Sequence, residues 1–215
     1  MEGTEIFLIF VISYFLGAIP NGHLISKFIY NFDVESYGSG NIGATNILAN
    51  LGIVPALLTL IIDASFGFLA VCIAKALNHS IYISAVAGIL CVAGHIFPIF
   101  RKGFNGGKGV ATSFGVGLAV VPLDTMLCFL VFIFVLLITR YVAIGSIVGS
   151  SFSPFFAFIL YKDPIFLLIL LLFPILIVIS HRRNIKNIIE GKEIMANRSY
   201  LRLFKLDFKN KKRGT

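Results

Sequence analysis

The sequence predicts an all-α integral membrane protein of about seven transmembrane helices, with its N-terminus outside and its C-terminus inside. Three observations carry this reading. First, 58% of the 215 residues are hydrophobic, against roughly 45–50% in soluble domains, and the mean hydropathy is +0.95. Second, the apolar residues come in long runs almost free of charge, as an α-helix crossing a bilayer requires. Third, the net charge of +8 has one address: residues 181–215 hold eleven Lys/Arg against three Asp/Glu, and the remainder balances at seven against seven. The length fits one membrane domain over 1–180 with cytoplasmic-face glycine-rich loops, then a basic cytoplasmic juxtamembrane tail over 181–215. No internal repeat is visible.

Seven apolar segments follow in order, at 5–28, 51–77, 81–99, 109–121, 124–140, 141–161 and 164–180. Asn78-His79, Pro122 and Pro164 punctuate the turns. The first segment carries Glu2 and Glu5 ahead of it and no basic residue, unlike a cleaved signal peptide. The fourth is short, so the fourth and fifth form either two spans or a re-entrant hairpin. Cys72, Cys91 and Cys128 stand singly in apolar runs and read as small core residues. No metal or cofactor is expected.

Basic residues set the orientation. With the tail inside, Lys27, Arg101, Lys102, Lys108 and Arg140 also fall inside, and only Lys75 and Lys162 fall outside. The tail reads as an interfacial segment on anionic lipid, with Leu201, Phe204 and Phe208 among its cations, and not as a nucleic-acid binder. The loops 31–50 and 101–108 then meet the same membrane face as Arg140 and His181.

Those two loops carry the chemistry. "GSGNIGATN" offers Ser39, Gly40, Asn41, Gly43, Thr45 and Asn46, and "GGKGVAT" offers Gly106, Gly107, Lys108 and Gly109. Glycine-rich turns feeding helix N-termini present backbone N–H groups and a positive dipole end to an anion. Glycine for close helix packing is the competing explanation. The second loop is not a Walker A motif, because Lys102 and Gly109 stand where that pattern needs Gly and Ser/Thr. His181 and Asn184 are spaced to share a helix face and could position or deprotonate a hydroxyl. His95, at the inner end of the third segment, is a second candidate and His23 a third. Asp63 lies near the middle of the second segment, where an ionisable group is functional or paired across helices.

These stretches, with "AGHIFPIF" and "HRRNI…GKE", resemble the three motifs of the bacterial acyl-phosphate-dependent glycerol-3-phosphate acyltransferases over nearly the whole chain. The resemblance implies transfer of an acyl group from acyl phosphate to the 1-hydroxyl of glycerol 3-phosphate, giving lysophosphatidic acid and phosphate. It implies a monomer among membrane lipids in the bacterial inner membrane, with its active site at the cytoplasmic face. Residue by residue, it implies catalytic roles for Ser39, Lys108, His181 and Asn184. Gly106, Gly107 and Gly109 would bind the acceptor phosphate beside Lys108, and Glu193 would be structural. Four positions depart from the family pattern: Ala49 replaces an arginine, Phe66 a frequent lysine, Asn105 a lysine before the glycines, and Ala143 a serine, with Ser146 nearby. Arg101, Lys102 or Arg140 would be the cations able to substitute on that face. A small-anion transporter, or a weakly catalytic relative that only binds phosphate or lipid, are the rival classes.

Overall fold

A computed structural model describes residues 3–77, 80–101, 103, 105–193 and 195–196. All seven apolar segments are helical. The first is α1 (Gly3–Ala18), which breaks at Pro20 and continues through α2 (Asn21–Leu24) and a π-helical turn (Ile25–Ile29). The others are α4 (Ile53–Leu77), α5 (Ile81–Ile96), α6 (Val110–Val120), α7 (Pro122–Thr139), the pair α8 (Val142–Ser151) and α9 (Ser153–Tyr161), and the pair α10 (Pro164–Leu170) and α11 (Leu172–Ser180).

Span length divides them. Four stretches are long and apolar enough to cross a membrane, 3–29, 53–77, 122–139 and 142–161, and a fifth follows if 164–189 counts as one bent span. Length and composition by themselves thus pick out four or five of the seven apolar segments as crossing candidates. At about 1.5 Å per residue, α6 rises only about 16 Å, half a hydrocarbon core of about 30 Å, whereas α7 is of crossing length.

Two further helices stand outside the seven apolar segments. Residues 31–50 are not all loop: after a 3-10 turn (Val34–Ser36), α3 (Ala44–Leu51) forms and ends at Gly52, whose φ of +92° separates it from α4. After α11 the chain bends by 54° into α12 (Arg182–Ile189).

Glycines let the helices approach closely, as lipid-embedded bundles require when hydrophobicity cannot drive association. A Cβ at Gly17 would meet the backbone of Cys91, one at Gly94 the backbone of Tyr14, and one at Gly115 the backbone of Ala64. The main core joins α4, α5 and α6 to α9, α10 and α11 through Val71, Val92, Val116, Ala157, Leu170 and Phe173. Phe7, Phe134 and Leu137 point outward from the bundle, as lipid-facing side chains do. Cys91 is buried and all three cysteines are unpaired.

Candidate active site

One end of the bundle is built around Asn46. Its amide donates to the carbonyls of Val34 at 3.0 Å, Tyr37 at 3.1 Å and Asn41 at 2.9 Å, and its oxygen accepts from the Ser39 amide at 3.1 Å. One buried side chain thus holds the first glycine loop in shape. Asn41 then ties that loop to the second: its Nδ2 donates to the Gly106 carbonyl at 3.1 Å, while its Oδ1 accepts from the Gly43 amide at 2.8 Å.

The second loop is pinned from two other sides. The Gly106 and Gly107 amides donate to the carbonyls of Ile96 and His95, at 3.1 and 3.0 Å. Ser180 Oγ donates to the Lys108 carbonyl at 2.9 Å. Gly109 has φ of +75°, a left-handed value that glycine adopts without strain, and it turns the chain into α6.

These loops open onto a cavity of about 620 Å³. Its polar end gathers Ser39, Asn41, Gly43, Thr45, Asn46, Lys108, Gly109, His95, Ser146, His181 and Asn184 from the expected set. Four expected residues do not line it. Gly40 sits in the turn behind. Gly106 and Gly107 have their amides engaged with α5, which fixes the course of the loop that carries Lys108. Arg140 is exposed outside the cavity, and its carbonyl accepts from Ala196 at 2.7 Å.

Three helix starts also meet the cavity. The N-termini of α3, α6 and α8 all face the cavity through Ala44, Val110 and Val142, and none of the three has a side-chain cap. Free first-turn N–H groups and three positive dipole ends converge there. Lys108 adds a full charge. Burial lowers its pKa, and the nearby Glu193 carboxylate works the other way.

His181 is 1% exposed. Its Nδ1–H donates to the Ile177 carbonyl at 2.8 Å, since a carbonyl can only accept, so Nε2 is the bare nitrogen. Burial, then the Lys108 charge, push its pKa down to about 4, against the pull of the Ile177 bond. Asn184 donates to Glu193 at 2.5 Å, which leaves its carbonyl oxygen available. His95 also lines the cavity, with Nδ1 3.8 Å from Asp63 Oδ1. Asp63 is indeed paired across helices: Asn21 donates to it at 2.9 Å.

Arg101 and His23 are occupied elsewhere. Arg101 is bonded to Glu35, which also meets His23 at 2.6 Å. Burial alone would raise the Glu35 pKa, but Arg101 and His23 hold it below the usual carboxylate range. Lys102 lies outside the described residues. Sequence reasoning missed Ser113, whose buried hydroxyl has no partner among the described residues, and Lys192; both line the cavity. Ser113 follows "GVAT" directly, and Lys192 is the lysine of "GKE", so both were in plain view without a reason to single them out. Ala49 lines the cavity as well.

The polar end continues into an apolar chamber walled by Leu60, Phe114, Val116, Val120, Phe129 and Phe173. A charged seat opening into a greasy interior suits an amphiphile with an anionic head.

Comparison with known proteins agrees with that geometry. The model of the glycerol-3-phosphate acyltransferase family matches residues 7–191. A glycerol-3-phosphate acyltransferase of Prochlorococcus marinus (strain MIT 9515) is 39% identical over 193 residues, 88% of this chain and 96% of that protein. One from Clostridioides difficile (strain 630) is 39% identical over 198 residues, 90% and 96% of the two chains. Two crystal structures of PlsY (YgiH), an integral membrane glycerol 3-phosphate acyltransferase, share the fold. The glycerol 3-phosphate form has a TM-score of 0.84 and 34% identity, covering 93% of this chain and 98% of that one. The lysophosphatidic acid form has a TM-score of 0.80 and 35% identity, covering 90% and 95%.

Proposed function

The chain belongs to the glycerol-3-phosphate acyltransferase family, and from that premise we propose that it moves an acyl group from acyl phosphate to the 1-hydroxyl of glycerol 3-phosphate. The products are lysophosphatidic acid and phosphate, in bacterial phospholipid synthesis. One observation carries the reading: Lys108, His181, Asn184 and three uncapped helix N-termini sit at one end of a cavity that opens into an apolar chamber.

Acyl phosphate is a mixed anhydride, so the chain needs no covalent intermediate. It must bring two phosphate groups together and offset their repulsion, which positive dipole ends and Lys108 do. The acceptor hydroxyl oxygen bonds to the acyl carbon. The bond from that carbon to the bridging oxygen breaks, phosphate leaves with the electron pair, and the hydroxyl proton passes to the phosphate. His181 Nε2 accepts the hydroxyl's hydrogen bond and aims it. With its conjugate acid near a pKa of about 4, His181 orients the hydroxyl and does not keep its proton. The Asn184 oxygen, held by Glu193, is a second acceptor for the glycerol hydroxyls. Ser39 and Thr45 close the seat from the first loop.

The same reading sets the surroundings. The Lys/Arg distribution supports an outside N-terminus and a cytoplasmic active-site face in the inner membrane. One chain supplies every group of the site, which supports a monomer. We keep the division into a membrane domain over 1–180 and a basic juxtamembrane tail over 181–215, with α12 at its start delivering Asn184 to the cavity.

A transfer assay with labelled glycerol 3-phosphate tests the proposal. Acyl phosphate should support transfer, and acyl-CoA and acyl carrier protein should not. Transfer from either thioester but not from acyl phosphate would overturn the donor assignment. Uptake of glycerol 3-phosphate into vesicles without transfer would make the chain a transporter.

A further inference from the structure

The far end of the cavity is polar again. Asp124, on the first turn of α7, lines it beside Thr125, Cys128 and Ser153. Asp124 is 2% exposed. Ser153 Oγ donates to its Oδ2 at 2.8 Å, and its Oδ1 has no partner among the described residues. The proposed transfer leaves this carboxyl without a role. It is far from the reacting groups: Gly109 and Val121 line the cavity at the two ends of α6, which separates those ends by about 18 Å at about 1.5 Å per residue. That is close to the half-thickness of a hydrocarbon core of about 30 Å, the depth one lipid tail fills.

Resting on the acyltransferase reading above, we propose that Asp124, braced by Ser153, is the stop that fixes the longest acyl chain the enzyme accepts. Val116, Val120 and Phe173 provide an apolar wall along the path, so each methylene inserted exchanges lipid for a matching apolar surface. At Asp124 that match ends. A methyl terminus pressed onto the buried carboxyl would keep its Oδ1 from any hydrogen-bonding partner, and such desolvation is unfavourable. A chain that ends before Asp124 fills the chamber; a longer one must bend or leave part of itself outside.

The experiment is a comparison of lauroyl, palmitoyl, stearoyl and arachidoyl phosphate as donors for the full chain in membranes. Asp124→Ala removes the stop and opens room for about two methylenes. The ratio of kcat/KM for the donor just beyond the wild-type limit to that for the best wild-type donor should rise by about tenfold, the scale of no longer desolvating one buried polar group. Asp124→Asn keeps a polar floor of the same size and should keep the wild-type profile. Val120→Phe, which narrows the path at the last residue of α6, should lose the long donors and retain lauroyl phosphate, and it decides the matter if Asp124→Ala does not accumulate. Wild-type transfer with an unchanged length profile in Asp124→Ala, or in Val120→Phe where that variant stands in, overturns the stop alone. Absence of wild-type transfer from every acyl phosphate overturns the acyltransferase reading, and the stop with it.

Discussion

His181 donates its Nδ1–H to the carbonyl of Ile177, one helical turn back, at 2.8 Å. That bond sets the tautomer, so the bare Nε2 belongs to a neutral ring, and burial beside Lys108 keeps it neutral down to about pH 4. The first prediction follows. His181→Gln should lower kcat/KM, and the wild-type-to-mutant ratio should stay flat from about pH 5.5 to about pH 8, because a ring with a depressed pKa carries no proton in that window. Taking the ratio cancels titration of the substrates. A ratio that climbs with pH through about 6.5 would mean that His181 is a general base with an ordinary pKa.

Lys108 is the cation whose backbone is independently held, by Ser180. Lys108→Ala should therefore leave the loop in place and remove a charge-assisted phosphate contact of about 1.5–3 kcal/mol, roughly ten- to over a hundredfold. The loss should fall mainly on glycerol 3-phosphate. Steady-state kinetics with each substrate varied in turn checks this; an unchanged acceptor KM and kcat would remove Lys108 from the seat.

Gly107 abuts the His95 ring, and a Cβ there would run into the imidazole. Gly107→Ala should cost about 1–3 kcal/mol of stability through overpacking and should slow transfer. The clash makes the effect conditional. In a His95→Ala background the same substitution should do little further damage, so the two changes should be strongly non-additive in a double-mutant cycle. Additive losses would show that the glycine matters for something other than His95.

Ala49 faces the cavity at the position where the family pattern has arginine. Arg101 is held by Glu35 and Arg140 lies outside, which leaves Lys108 and Lys192 as the lysines lining the cavity among the described residues. Ala49→Arg should raise kcat/KM by about tenfold, since a guanidinium holds phosphate bidentately. Lys192→Ala should be more harmful in the wild type than in Ala49→Arg. A variant that folds without a rate gain, together with a silent Lys192→Ala, would mean that the seat needs no further cation.

The orientation is checked by cysteine labelling. Cysteines placed at Ser36 and at Lys186, whose side chain is 76% exposed, in a background without Cys72, Cys91 and Cys128, should resist an impermeant thiol reagent in intact cells and react once the cells are opened. Labelling of either in intact cells would reverse the topology.

What the sequence determined by itself was the part governed by composition and local pattern. Long uncharged apolar runs leave the backbone no choice but helix in lipid, so every apolar segment from 5–28 to 164–180 is helical. Glycine and asparagine clusters beside those runs marked where irregular backbone would be tolerated, and the motifs gathered Ser39, Lys108, His181 and Asn184 into one site. What only the tertiary structure decided was which polar groups are free. Gly106, Gly107, Asn41 and Asn46 look in sequence like anion donors, yet their hydrogen-bonding groups are engaged in joining the loops to each other and to α5. The proposed seat is formed by the starts of α3, α6 and α8, and the last of these opens on Val142, Ala143 and Ile144 with no glycine loop before it. Asp124 reads in sequence as an ordinary first-turn acid, and the packing of α7 against α9 turns it into the floor of a chamber. A hydrogen bond has one donor and a direction, and which partner takes it depends on residues dozens of positions away, so no local pattern can assign it.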